Sequence, residues 1–113
     1  MMLVTGSVVA QVGRVDEAFV LSQAHVARSR AEPGCLAHAV YRDPENDLRL
    51  VFLEQWADRA SLWEHFKVPA SREFANALAA LAQQPPSMEL FDATPVPVPG
   101  KSARPQDGGA SHV

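Results

Sequence analysis

At 113 residues with a formal net charge of −3 and a pI near 5.7, the chain is the size of one domain. It has no basic run or stripe to meet phosphates, which excludes a nucleic-acid partner. The single cysteine, Cys35, rules out an intramolecular disulfide and fits a reducing compartment. No apolar run nears the roughly 20 residues needed to span a bilayer. The opening MMLVTGSVVAQVG lacks the basic and long apolar regions of a signal peptide. The expectation is a soluble, cytoplasmic protein with no membrane partner. A domain this small buries only roughly 60–65% of its unfolded surface, so association would help it.

Leu3–Gln11 is rich in β-branched residues and predicts strand one, closed by Gly13. Asp16 and Glu17 suit the start of a helix, and Arg28 and Arg30 suit its end. Its apolar stripe runs Val15, Ala18, Phe19, Val26, with Ser22 as an interruption. Pro33-Gly34 stops that helix. Cys35–Arg42 and Leu48–Trp56 predict a hairpin, turned at Asp43-Pro44-Glu45-Asn46 by Asp and Pro at the first two positions of a type I turn. Asp58 is placed to cap a short helix carrying Leu62 and Phe66, which Pro69 ends. A third helix carries Phe74, Leu78 and Leu81, and Ser87–Ala93 predicts a last strand.

The order β-α-β-β-α-α-β is an α+β, ferredoxin-like split β-α-β plan, with helices on one face of a four-stranded antiparallel sheet. The folded domain spans about residues 1–93. Residues 94–113 hold four of the nine prolines and three of the six glycines, and predict a disordered tail.

An antiparallel sheet with one wet face should alternate apolar and polar residues. Strand three does not: Leu50, Phe52, Glu54 and Trp56 share one face, and Val51, Leu53 and Gln55 share the other. Helices cover one face only. The second apolar face therefore predicts a homodimer packed sheet on sheet, a dimeric α/β barrel.

Several side chains are candidates for chemistry. His65 follows Leu62 by three residues and can lie beside the core stripe, where an imidazole can take a proton from a phenol or enol. A histidine on the helix surface is the plainer reading. Trp56 can stack on a flat substrate and donate its N–H, although large aromatics more often fill cores. Trp63 reads as a packing or rim residue. His38 and Tyr41 fall on opposite faces of strand two, which leaves His38 to line a pocket or sit partly buried. Glu54 stands among apolar neighbours and must be paired, wet or raised in pKa. It can act as a base or orient His65, and pairing with Arg42 or Arg49 at a sheet edge is the preferred reading. His25, His38, His65 and His112 have no ligand-like spacing with one another or with Cys35, so no metal site is expected. No glycine-rich phosphate loop or nucleophile signature points to a bound cofactor.

The run EPGCLAHAVYRDPENDLRLVFLEQWADRASLWEHF, followed by VPASREFANALAAL and PPSMELFDA, resembles the antibiotic biosynthesis monooxygenase domain family. That family includes quinol monooxygenase-like proteins and small polyketide-anthrone oxygenases. The resemblance covers about residues 2–93 and is most specific at EPGC, the YRD-P-E-N hairpin, E-Q-W and the histidine before Phe66. It implies a ferredoxin-like homodimer that oxidises a small, electron-rich aromatic with O₂ and uses no metal, flavin or haem. It implies a catalytic pair, Trp56 and His65, in a pocket between sheet and helices, with Phe66 and Phe74 as walls; His38, Phe52 and Glu54 join them as substrate-binding candidates from the strand pattern. Haem-degrading relatives pair a strand-one asparagine with a tryptophan and a histidine, and LVTGSVVAQ has no asparagine. The alternatives are a non-catalytic small-molecule-binding dimer module and an isomerase of a small carbonyl compound or phosphosugar.

Overall fold

A computed structural model describes residues 1–100 of the chain. It contains β1 (Met2–Val9), α1 (Val15–Arg30), β2 (Cys35–Arg42), β3 (Arg49–Trp56), α2 (Arg59–Lys67), α3 (Pro69–Leu81) and β4 (Ser87–Asp92). The strands form one antiparallel sheet in the order β2-β3-β1-β4. This is the expected ferredoxin-like plan: each β-α-β unit steps over one intervening strand, so the helices gather on one face.

Local chemistry sets the boundaries. The Asp58 side chain accepts a hydrogen bond from the Ser61 N–H at 2.8 Å and caps α2. That contact holds its carboxyl below the usual range. Val68 then leaves helical geometry and Pro69 opens α3 at its first position, where a missing N–H costs nothing. Pro69 is thus both the stop and the restart. The β2–β3 turn closes as predicted, with Asn46 N–H donating to the Asp43 carbonyl at 3.3 Å and Glu45 N–H to the Asp43 side chain at 2.8 Å. Arg42 and Arg49 pair with Asp16 and Asp43, so neither reaches Glu54 and the preferred pairing for that carboxylate is overturned. Arg42 shares the helix-covered face with Glu54 but stands opposite Leu50, four residues away along β3, where α1 takes it up; Arg49 falls on the opposite parity.

The helix-covered face carries the core. Val8, Ala10, Leu50 and Phe52 pack against Ala18 of α1 and Phe74, Leu78 and Leu81 of α3. Met2, Val4 and Trp56 pack against Leu62 of α2. Each such aliphatic or aromatic side chain contributes about 1.5–3 kcal/mol when fully removed from water. No residue of β4 is buried. On the opposite face Tyr41, Leu53 and Phe91 are exposed, each by more than 40%. The Ser22 interruption in α1 is no interruption in space: Ser22, His25 and Ser29 lie on the buried stripe, with Ser22 and Ser29 donating to carbonyls four residues back. The chain from Met1 to Ala93 is closed by a reciprocal backbone pair between those two residues. Most of the predicted tail lies outside the described residues.

Candidate active site

The site lies at the β3 C-terminal end of the covered face, where α1, α2, β2 and β3 meet. Strand pairing places His38 of β2 opposite Glu54 of β3. His25 arrives from the buried stripe of α1 and His65 from α2. All four side chains are at least 95% buried at the residue level, except that His25 and Glu54 sit at that limit. A bulge at Cys35/Ala37 lets Leu36 swing into solvent while His38 turns inward, which separates two residues that simple alternation puts on one face.

His65 has a partner that sequence reading missed. Its Nδ1 donates to Glu32 Oε1 at 2.8 Å. Glu32 is delivered by the turn after α1: Gly34 takes a left-handed φ of +83° and its carbonyl accepts from Ala57 N–H at 2.8 Å. A side chain at Gly34 would strike Ser61, so this position needs glycine both for its backbone angle and for the close approach of the turn to α2. With Nδ1–H committed to the carboxylate, Nε2 is the nitrogen with a free lone pair.

Glu54 accepts the Trp56 indole N–H at 2.9 Å and stands 3.3 Å from His38 Nε2, off the ideal hydrogen-bond line. Burial pushes its carboxyl upward, but His38 and the Trp56 N–H outweigh that and hold it below the ordinary range. His25 stacks on Phe74 with ring centroids 4.0 Å apart and nearly parallel. Burial, and after it the imidazoles of His38 and His65, lower the His25 pKa to about 3, so this ring is neutral at pH 7.

A cavity of about 290 Å³ opens beside these groups. His25, Phe52, Glu54, His65, Phe66 and Phe74 contribute to its wall. Five predicted site residues, Phe52, Glu54, His65, Phe66 and Phe74, therefore share one space. Trp56 and His38 do not reach the wall, which corrects their direct contact with substrate. Trp56 is fully buried under Leu62, and its ring lies behind His65 with centroids 4.6 Å apart. His38 is sealed beneath its neighbours, next to Glu54. Both stand behind the residues of the wall. The lining is chiefly apolar, and no lysine or arginine belongs to it.

His25 and Glu32 carried weak signals. His25 falls three residues after Ser22 on a stripe that reads as polar, and Glu32 is part of EPGC, whose glycine announces a tight turn. The spacing argument against a histidine cluster fails for a simple reason: His25, His38 and His65 come from three different elements. The fold brings one nitrogen of each within 4.8 Å of the others.

The model of the family described as antibiotic biosynthesis monooxygenase matches residues 1–77. An uncharacterised protein of Synechocystis, sll1783, is 32% identical over 89 residues, covering 79% of this chain. The match spans only 60% of that longer protein. A crystal structure of an antibiotic biosynthesis monooxygenase superposes with a TM-score of 0.77 at 28% identity, over 84% of this chain and all of the other. PA3566 from Pseudomonas aeruginosa gives a TM-score of 0.74 at 26% identity, over 83% and 94% of the two chains. With the fold and the extent of the match in agreement, the chain belongs to the antibiotic biosynthesis monooxygenase family.

Proposed function

We propose that the protein is a monooxygenase of small quinol- or anthrone-like aromatics that uses O₂ directly, with His65 as the base and Glu32 as its positioning residue. The observation that carries this reading is the 2.8 Å Glu32–His65 contact on a residue that lines an apolar cavity. At about 290 Å³ the cavity is at the small end for ligand sites and suits a compact ring system.

In this mechanism His65 Nε2 takes the proton of an aromatic hydroxyl or enol, and Glu32 stabilises the imidazolium that forms. The substrate anion is the reductant. It passes one electron to O₂, the radical pair joins to a peroxide at carbon, and the peroxide collapses with loss of water. One oxygen atom stays in the quinone product, the other leaves as water, and the substrate supplies all four electrons. The walls formed by Phe52, Phe66 and Phe74 hold the ring and keep water from the anion. Glu54, fixed from behind by Trp56, has lone pairs left to accept a second substrate hydroxyl. The lack of a cationic group in the wall argues against a phosphorylated sugar as ligand.

The working form is a homodimer joined through the face that carries Tyr41, Leu53 and Phe91, because three large apolar side chains on one sheet surface favour association. Light scattering of the purified protein should give twice the chain mass, and Leu53→Glu should give the monomer. A wild type at monomer mass contradicts the dimer. A single cysteine supports a reducing, cytoplasmic setting. The activity is tested by oxygen uptake from chelator-treated protein with a panel of hydroquinones, anthrones and flavonols. Substrate-dependent uptake with a hydroxylated quinone product supports the reading. Tight ligand binding without uptake identifies a binding module, and turnover without oxygen identifies an isomerase.

A further inference from the structure

We infer that His25, His38 and His65 form a binding site for one divalent first-row transition-metal ion, with an open coordination position toward the cavity. The geometry comes first. Each residue is at least 95% buried, and one ring nitrogen from each lies within 4.8 Å of the other two. The ring centroids are 5.3–5.8 Å apart. Metal–imidazole bonds of about 2.0–2.1 Å need nitrogens somewhat closer than this, a contraction of the kind that small rotations of the rings supply.

The second observation is that these rings hold lone pairs with nothing to accept. Ser29 spends its only hydroxyl proton on the His25 carbonyl at 2.8 Å, so toward His25 Nε2, at 3.5 Å, its oxygen can only accept. His25 is then protonated at Nε2 and bare at Nδ1, and Nδ1 is buried without a partner. Glu32 fixes the proton of His65 on Nδ1 and leaves Nε2 bare. Both nitrogens of His38 lack a well-aligned partner, and the Glu54 carboxylate beside Nε2 leaves at least one of them free. Two of the three, His25 and His38, bury a ring nitrogen with no partner, which costs free energy unless something satisfies it. A cation does so for both at once and takes the bare Nε2 of His65 as a third ligand. Imidazole donors suit zinc, copper, nickel and iron rather than magnesium or calcium.

The surroundings have the form of a metal site as well. Glu32 holds His65 by a hydrogen bond to Nδ1, the arrangement that orients metal-bound imidazoles and raises their basicity, and the Glu54 carboxylate stands 3.3 Å from His38 Nε2. The two carboxylates also offset the charge of a divalent ion in a largely apolar setting. His25, Glu54 and His65 reach the cavity wall, so a fourth position on the ion faces the ligand space. This inference does not rest on the oxygenase reading, because it concerns binding and not turnover. Ion and base role compete for the same nitrogen of His65, which is why the oxygenase assay is run on chelator-treated protein.

The test titrates the full chain, stripped with a chelator, with Co²⁺ and Zn²⁺. The expected result is one ion per chain, with visible Co²⁺ d–d absorption of a four- or five-coordinate site. His25→Gln and His38→Gln should each weaken binding by more than the roughly 10–100-fold typical of removing an outer partner, and Glu54→Gln should fall within that range. Replacing His112, which lies outside the described residues, by Gln should change nothing. X-ray absorption on the wild-type zinc protein should count three imidazoles, a reading that needs no variant to fold. Absence of stoichiometric binding, two or fewer imidazoles, or binding that persists in folded His25→Gln and His38→Gln proteins would overturn the site.

Discussion

The covered face of the sheet has two halves built by the same alternation. At one end Val8, Ala10 and Leu50 meet Leu78 and Leu81, with no polar side chain among them. At the other end the equivalent inward positions are His38, Glu54 and Trp56, met by His25 and His65. Burial is equal; chemistry is not. Burying apolar groups stabilises the fold, whereas burying imidazoles and a carboxylate costs free energy even when they are paired. The polar half is therefore the part of the core that stability alone does not account for, and it supplies His25, Glu54 and His65 to the cavity wall.

The comparison can be broken in either half. The largest effect belongs to the apolar end: Leu50→Ala should destabilise the protein by about 2–5 kcal/mol in urea unfolding, because a fully buried side chain leaves a cavity. Folded Leu50→Ala protein should keep the substrate affinity of the wild type. In the polar half, Glu32→Gln should lower kcat about tenfold, or 1.4 kcal/mol, with KM little changed, since Gln can still fill the space but cannot balance an imidazolium. Glu32→Asp should recover part of the loss, which a purely structural role would not produce.

The smallest effect is the pH dependence of stability. His25 has a folded pKa of about 3, below its unfolded value of 6.5. Between these values the unfolded chain binds a proton that the folded chain does not. The stability is thus complete above pH 6.5 and is lost as the pH falls. Allowing for solvent screening, the slope is at most about 1 kcal/mol per pH unit. That corresponds to roughly 4–8 °C in melting temperature. Calorimetry of metal-free protein from pH 7.5 to 5 should show the decline, and His25→Phe, which can still stack on Phe74, should flatten it. Glu54, with its lowered pKa, adds its own loss only below its unfolded value near 4.5.

The two halves also differ in how far the sequence disclosed them. Element order, the hairpin and both faces of β3 were legible because a two-residue period and Pro, Gly and Asp punctuation are local properties. Phe52, Glu54, His65, Phe66 and Phe74 were legible as a group because three share the cores of their own elements and the family motif supplied the others. The Glu32–His65 contact was not, since it joins residues 33 apart through a turn whose geometry depends on Gly34 meeting α2. The histidine cluster was hidden for the same reason. Spacing along a chain reveals ligands only when one or two elements provide them, and here three do. The pairing of Glu54 with an arginine fails because Arg42 stands four residues away along the hairpin, opposite Leu50, and Arg49 falls on the other face.

The most direct measurement is oxygen consumption by chelator-treated wild-type and His65→Ala proteins, side by side, with a hydroquinone or anthrone at pH 7. The account predicts steady uptake by the wild type and a fall of about 10²-fold or more in the variant, the contribution of one positioned base. Equal rates in the two proteins, or no uptake by folded wild type with any quinol or anthrone, would contradict it.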